Sequence, residues 1–186
     1  MVSAAVLALS AAACTSAPSG RVRVIDLVHE FNRAEVRPAR DRFQLGEHTL
    51  DGTGRLSIAA PVPSRAIWVT PMPRRAALSF FAGVQASDPS CSARFRIGIS
   101  DDRIYETLAS HTATHGNAWT EMRVDLSRYA GWKFSIFYQP DGMSWRLVLS
   151  LDQTADAACT GLWGTPAIET DPAAAHLFVA KQRAGG

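Results

Sequence analysis

Two histidines four residues apart, in HTATH (111–115), have the spacing that on a helix turns both imidazoles toward one metal ion. Thr112, Thr114 and Gly116 disfavour a helix there, and no acidic residue is interleaved to serve as a general base. With Asp101, Asp102 and Glu106 upstream, the segment reads as a polar surface loop, and no metal site is assigned. Neither a Gly-x-Ser-x-Gly nucleophile elbow nor a Gly-rich phosphate loop is present. The paired carboxylates of a glycosidase are defined by their separation across a cleft, which spacing along a chain does not give. The sequence therefore assigns no catalytic residue and implies no cofactor.

Binding chemistry is better represented. In SARFRIGIS (92–100), Phe95, Ile97 and Ile99 alternate with Arg94 and Arg96, which places the guanidinium groups opposite a buried face. Arginine engages carboxylate or sulfate bidentately, so Arg94 and Arg96 are candidate ligands for an anionic glycan. Arg123 and Arg146 extend the strip if their strands lie beside this one. Tyr105 and Trp119, at the two ends of a variable loop, are the candidate aromatic platforms for a sugar ring, with a core role open for Trp119. The competing reading is a solvated face balanced by Asp101, Glu121 and Asp125.

The elements that would position these residues are short strands. EMRVDLS alternates Met122, Val124 and Leu126 with Arg123 and Asp125. WKFSIFY (132–138) and SWRLVLSL (144–151) carry the same period, and RVRVIDL, GRLSIAA, AIWVT and ALSFFAGV are further candidates separated by turn-rich stretches such as LDGTGR and TPMPRR. Eight or nine such strands without crossover helices predict an all-β fold, an antiparallel β-sandwich of jelly-roll type. One domain is expected over 22–170, with DLVHEFNRAEV read as a lead-in strand and turn, and 171–186 as a short helix or tail starting near Pro172. A formal net charge of +2 with scattered basic residues argues against a nucleic-acid partner.

At the N-terminus, AAVLALSAAA (4–13) is too short to span a membrane and has the length of a signal-peptide apolar region. Followed by Cys14 and the polar TSAPSG, it resembles the lipobox of bacterial lipoproteins. That resemblance implies a signal peptide over 1–13, lipidation at Cys14, a flexible tether over 14–21, and attachment to the cell envelope by the lipid alone. Export removes Cys14 from the folded body, leaving Cys91 and Cys159 as an even pair in an oxidising compartment and therefore an expected disulfide.

From Ala76 to Ile168 the order ALSFFAGV, a cysteine-bearing loop, ARFRIGISDD, a variable loop, AWTEMRVDLSRYAGWKFSIFY and GLWGTPAI resembles galactose-binding-like and carbohydrate-binding jelly-roll modules. With IDLVHEFNRAEVRP included, the chain is also similar to the region preceding the catalytic domain of some bacterial sulfatase-like proteins. The sulfatase nucleophile pattern fails, because Phe95 stands where that motif requires Arg. The resemblance implies a noncatalytic module whose partner is a glycan or cell-envelope polysaccharide, with a ligand-free structural accessory domain and a small secreted hydrolase as alternatives. Read as structure, VDLSRYAG is a turn, and Trp163, Gly164 and Pro166 close the core.

Overall fold

A computed structural model of the chain describes residues 20–101, 103–130, 145–154 and 158–184. The leader, Cys14, Asp102, and WKFSIFY with the adjoining Gly131 lie outside the described residues. Eleven strands are seen among the described residues: β1 (Val22–Asp26), β2 (Glu35–Arg37), β3 (Gln44–Leu50), β4 (Thr53–Pro61), β5 (Ser64–Thr70), β6 (Ala77–Gln85), β7 (Ser92–Ser100), β8 (Tyr105–Thr114), β9 (Thr120–Asp125), β10 (Trp145–Gln153) and β11 (Thr160–Thr170). They form two antiparallel sheets. Sheet A has the order β3-β4-β11-β6-β9, with β1 also pairing with β11, and sheet B has the order β2-β5-β10-β7-β8. The result is a jelly-roll β-sandwich.

Alternation builds the core. Phe95, Ile97 and Ile99 of β7 and Leu147, Leu149 and Leu151 of β10 face Leu78, Phe80, Ala82 and Val84 of β6, all essentially inaccessible to water. Trp163 of β11 packs between Phe80 and Phe95, with ring centroids 5.0 and 4.7 Å away, and so joins the two sheets. The Trp-Gly-Thr-Pro stretch also explains how one strand serves two neighbours. The register of β11 against β6 shifts between Gly164 and Ala167, where Pro166 needs no ladder donor. β4 pairs with β11 up to Gly164 and β1 takes over from Ala167, with the Leu27 N–H donating to the Pro166 carbonyl at 3.0 Å.

Cys91, just before β7, is bonded to Cys159, just before β11, with Cα atoms 5.8 Å apart, so the bridge clamps sheet B to sheet A at one end. The lead-in segment is β1 followed by turns, a 3-10 turn at Phe31–Arg33, and β2. Helix α1 (Pro172–Ala184) starts on Asp171, whose Oδ1 accepts the Ala174 N–H at 2.9 Å.

Two strands correct the sequence reading. QLGEHTL (44–50) was not expected to be a strand, and HTAT, expected in a loop, is the end of β8. Its β-branched threonines pair with β7, Thr112 opposite Arg94 and His111 opposite Phe95.

Candidate functional site

The outward face of sheet B can be read directly from its register. One row across the strands is Val69, Arg146, Ser100, Tyr105; the next is Glu35, Ile67, Val148, Gly98, Thr107. A third row is Arg37, Arg65, Ser150, Arg96, Ser110, and a fourth is Asp152, Arg94, Thr112. The face thus has an apolar half and a cationic half.

Tyr105 dominates the apolar half. A Cβ added at Gly98 would fall 2.4 Å from the Tyr105 Cζ and hydroxyl oxygen, so the ring lies flat across Gly98, a position that only glycine leaves open. Tyr105 remains 43% exposed and Ile104, beside it in the chain, 68%, while Val69 (60%) stands exposed at the other end of the row, three strands away. The β7–β8 turn that delivers the ring is held by Asp101, whose Oδ1 accepts the N–H groups of Arg103 and Ile104 at 3.0 and 2.8 Å. On the next residue, the Glu106 carboxylate accepts the Tyr129 hydroxyl at 2.7 Å and pairs with Arg128, while Tyr129 packs edge-on against Trp145 at 5.1 Å. The Tyr129 hydrogen bond is the main reason that the Glu106 carboxyl lies below its ordinary range. Burial first, then the bond to Glu106, pushes the Tyr129 hydroxyl up to about 12.

In the cationic half, Arg96 pairs with Asp152 at 3.1 Å, and Glu35 of the adjoining row serves both Arg37 at 3.0 Å and Arg146, in the Tyr105 row, at 3.7 Å. Arg65 and Arg94 are exposed and have no acidic partner among the described residues. Together the four rows carry five arginines and two carboxylates. Hydroxyls of Thr107, Ser110 and Thr112 line the β8 edge.

The structure therefore brings Arg94, Arg96, Arg146 and Tyr105 together and separates Arg123 and Trp119 from them. Arg123 is on β9 of sheet A, paired with Glu169 at 3.2 Å, so it cannot extend the strip. Local alternation fixes the face of a strand but not which sheet it joins. Arg37 and Arg65 were missed. SRAIWVT alternates Arg65, Ile67 and Val69 against Ala66, Trp68 and Thr70, and that pattern could have revealed Arg65.

Trp119 belongs to the opposite surface. The far half of the β3–β4 hairpin leaves the sheet, since β4 pairs with β11 only over Ser57–Pro61, and it leans across the outer face of sheet A. Trp119 Nε1 donates to the Thr53 carbonyl at 2.8 Å, and the indole lies against Gly83 and Gly164, where added Cβ atoms would come within 3.0 and 2.9 Å of it. Arg55 stacks on Phe81, 3.3 Å from the ring centroid, and Leu50 covers Gly83. Leu162 and Ser57, which point outward, are fully buried as a result. Among the described residues no three His, Cys, Asp or Glu side chains converge as a metal site.

No protein-family model matches the chain, and no curated protein matches it. Among solved structures the chain is similar to the M60 catalytic domain with the CBM51-1 and CBM51-2 domains from Clostridium perfringens ZmpB, with a TM-score of 0.51 and 11% identity, covering 73% of this chain and 14% of that one. It is also similar to TmCBM61 in complex with β-1,4-galactotriose (TM-score 0.49, 7% identity, 79% and 95% covered). A third is the CBM22-1 xylan-binding domain from Paenibacillus barcinonensis Xyn10C (TM-score 0.44, 14% identity, 74% and 86% covered). The likeness is one of fold.

Proposed function

We propose that this chain is an exported, lipid-anchored, noncatalytic module that recognises a carbohydrate of the cell surface or envelope on the outer face of sheet B. The observation that carries the reading is Tyr105, an exposed ring lying over Gly98, on the same sheet face as a set of arginines and hydroxyls. Sugar recognition needs this combination: an apolar face for the C–H side of the ring and polar groups for its substituents. The sandwich fold shared with a chain that contains CBM51 domains supports the reading. Export and the anchor at Cys14 rest on the sequence of the leader.

A glycan array probed with the Cys14→Ser protein, using neutral and anionic panels at two salt concentrations, tests recognition. Saturable binding that weakens about tenfold or more in the Arg94→Ala, Arg96→Ala double variant is expected. A folded sample that binds nothing would refute it. Cys14→Ser should also move the protein from the membrane to the soluble fraction, and unchanged fractionation would remove the anchor from the proposal.

A further inference from the structure

Arg37 and Arg65 are directly opposite each other on antiparallel β2 and β5. At such positions the Cβ atoms are roughly 4.5–5.5 Å apart, and like charges facing each other destabilise the pair. The protein does little to relieve this contact. Arg37 shares Glu35 with Arg146, and Arg65 has no acidic partner among the described residues. Across Ser150 in the same row stands Arg96, whose Nε is buried and without a hydrogen-bond partner among the described residues, and unpaired Arg94 follows in the next row. Two arginines directly opposite each other, one of them without an acidic partner among the described residues, call for an acceptor from outside.

We infer that this row is a site for the anionic substituents of a glycan, sulfate ester or uronate carboxylate, with Arg37 and Arg65 gripping one such group between them. The inference rests on the carbohydrate reading of this face and specifies the chemistry of the ligand. Two parallel N–H···O bonds from a guanidinium suit the paired oxygens of either group. Tyr105 lies over Gly98, whose neighbour along β7 on this face is Arg96, while Arg65 and Arg37 stand two and three strands further across the sheet, so an oligosaccharide rather than a single ring reaches from the tyrosine to the arginine pair.

Calorimetric titration of the Cys14→Ser protein with neutral galactan, sulfated galactan, polygalacturonate and duplex DNA, at two salt concentrations, tests the inference. At least one anionic glycan should bind about tenfold more tightly than the neutral one, with affinity falling as salt rises. Whichever anionic polymer wins distinguishes sulfate from carboxylate. Arg65→Gln and Arg37→Gln should each lose about tenfold for the anionic glycan and distinctly less for the neutral one. Without ligand, Arg65→Gln should melt no lower than the parent, because a like-charge contact has been removed, and the anionic glycan should raise the melting temperature of the parent more than that of the variant. Equal affinity for neutral and charged glycans, anionic binding untouched by both substitutions, or equal binding of DNA would overturn the anion site while leaving neutral-glycan binding to stand on its own. Failure of the folded protein to bind any glycan would overturn both.

Discussion

The two outer faces of the sandwich each carry an aromatic residue laid flat on glycine, yet they do opposite work. On sheet A, Trp119 rests on Gly83 and Gly164, and the chain's own hairpin comes down over it, with the indole N–H used up on the Thr53 carbonyl. On sheet B, Tyr105 rests on Gly98 with no such cover among the described residues and keeps nearly half its surface in water. The difference shows that an aromatic residue on a sheet face is not by itself a binding platform. What decides is whether the polypeptide has already filled the place a ligand would take.

The largest effect should come from the seam that serves both faces. Replacing Cys91 and Cys159 by Ala reopens a loop spanning a sequence separation of 68, for which loop entropy alone predicts a loss of about 4 kcal/mol. Denaturant midpoints should fall accordingly, and ligand binding should drop in proportion to the unfolded fraction.

The contrast between the faces is sharpened by a pair of substitutions. Trp119→Ala should cost about 2–3 kcal/mol of stability, less than a wholly buried tryptophan, and leave glycan affinity unchanged at temperatures where the variant is folded. Tyr105→Ala should do the reverse, losing binding by more than about tenfold at a stability cost below about 1 kcal/mol. If Trp119→Ala abolished binding in a folded protein, the covered face would have to be the functional one.

The smallest effect concerns the support under Tyr105. Because the Tyr129 hydroxyl is raised from its ordinary 10.0 to about 12, the stability it contributes is complete below pH 10.0 and is lost as the pH climbs toward 12. Tyr129→Phe should flatten that alkaline limb in a pH series of thermal melts. The Glu106 carboxyl is lowered, so its contribution is present above the ordinary carboxylate value of 4.5 and fades as the pH falls below it; Glu106→Gln should remove that acid limb.

Much of the sandwich was legible in the sequence because strands with one buried face write a period of two. Arg94 and Arg96 against Phe95, Ile97 and Ile99 are the clearest case, and the structure places all five as that alternation requires. β8 escaped because its core-side positions Ala109, His111 and Ala113 are small or polar, and because a register shift opposite Ile97 and Gly98 breaks its phase. β3 escaped as an edge strand containing Gly46, Glu47 and His48. For the site, alternation supplied the side of the sheet but not the neighbour. Arg37 meets Arg65, and Arg123 goes to the other sheet, through pairings between segments far apart in the chain.

The row from Arg37 through Arg65 and Ser150 to Arg96 crosses four strands. Neighbouring strands are roughly 4.8 Å apart, so the row is a ruler about 14 Å long graduated in steps close to the length of one pyranose unit. A chain laid across the strands is measured for the period of its charges. A charge held between Arg37 and Arg65 is followed along the row by Ser150, beneath a neutral unit, and then by Arg96, where a second charge fits.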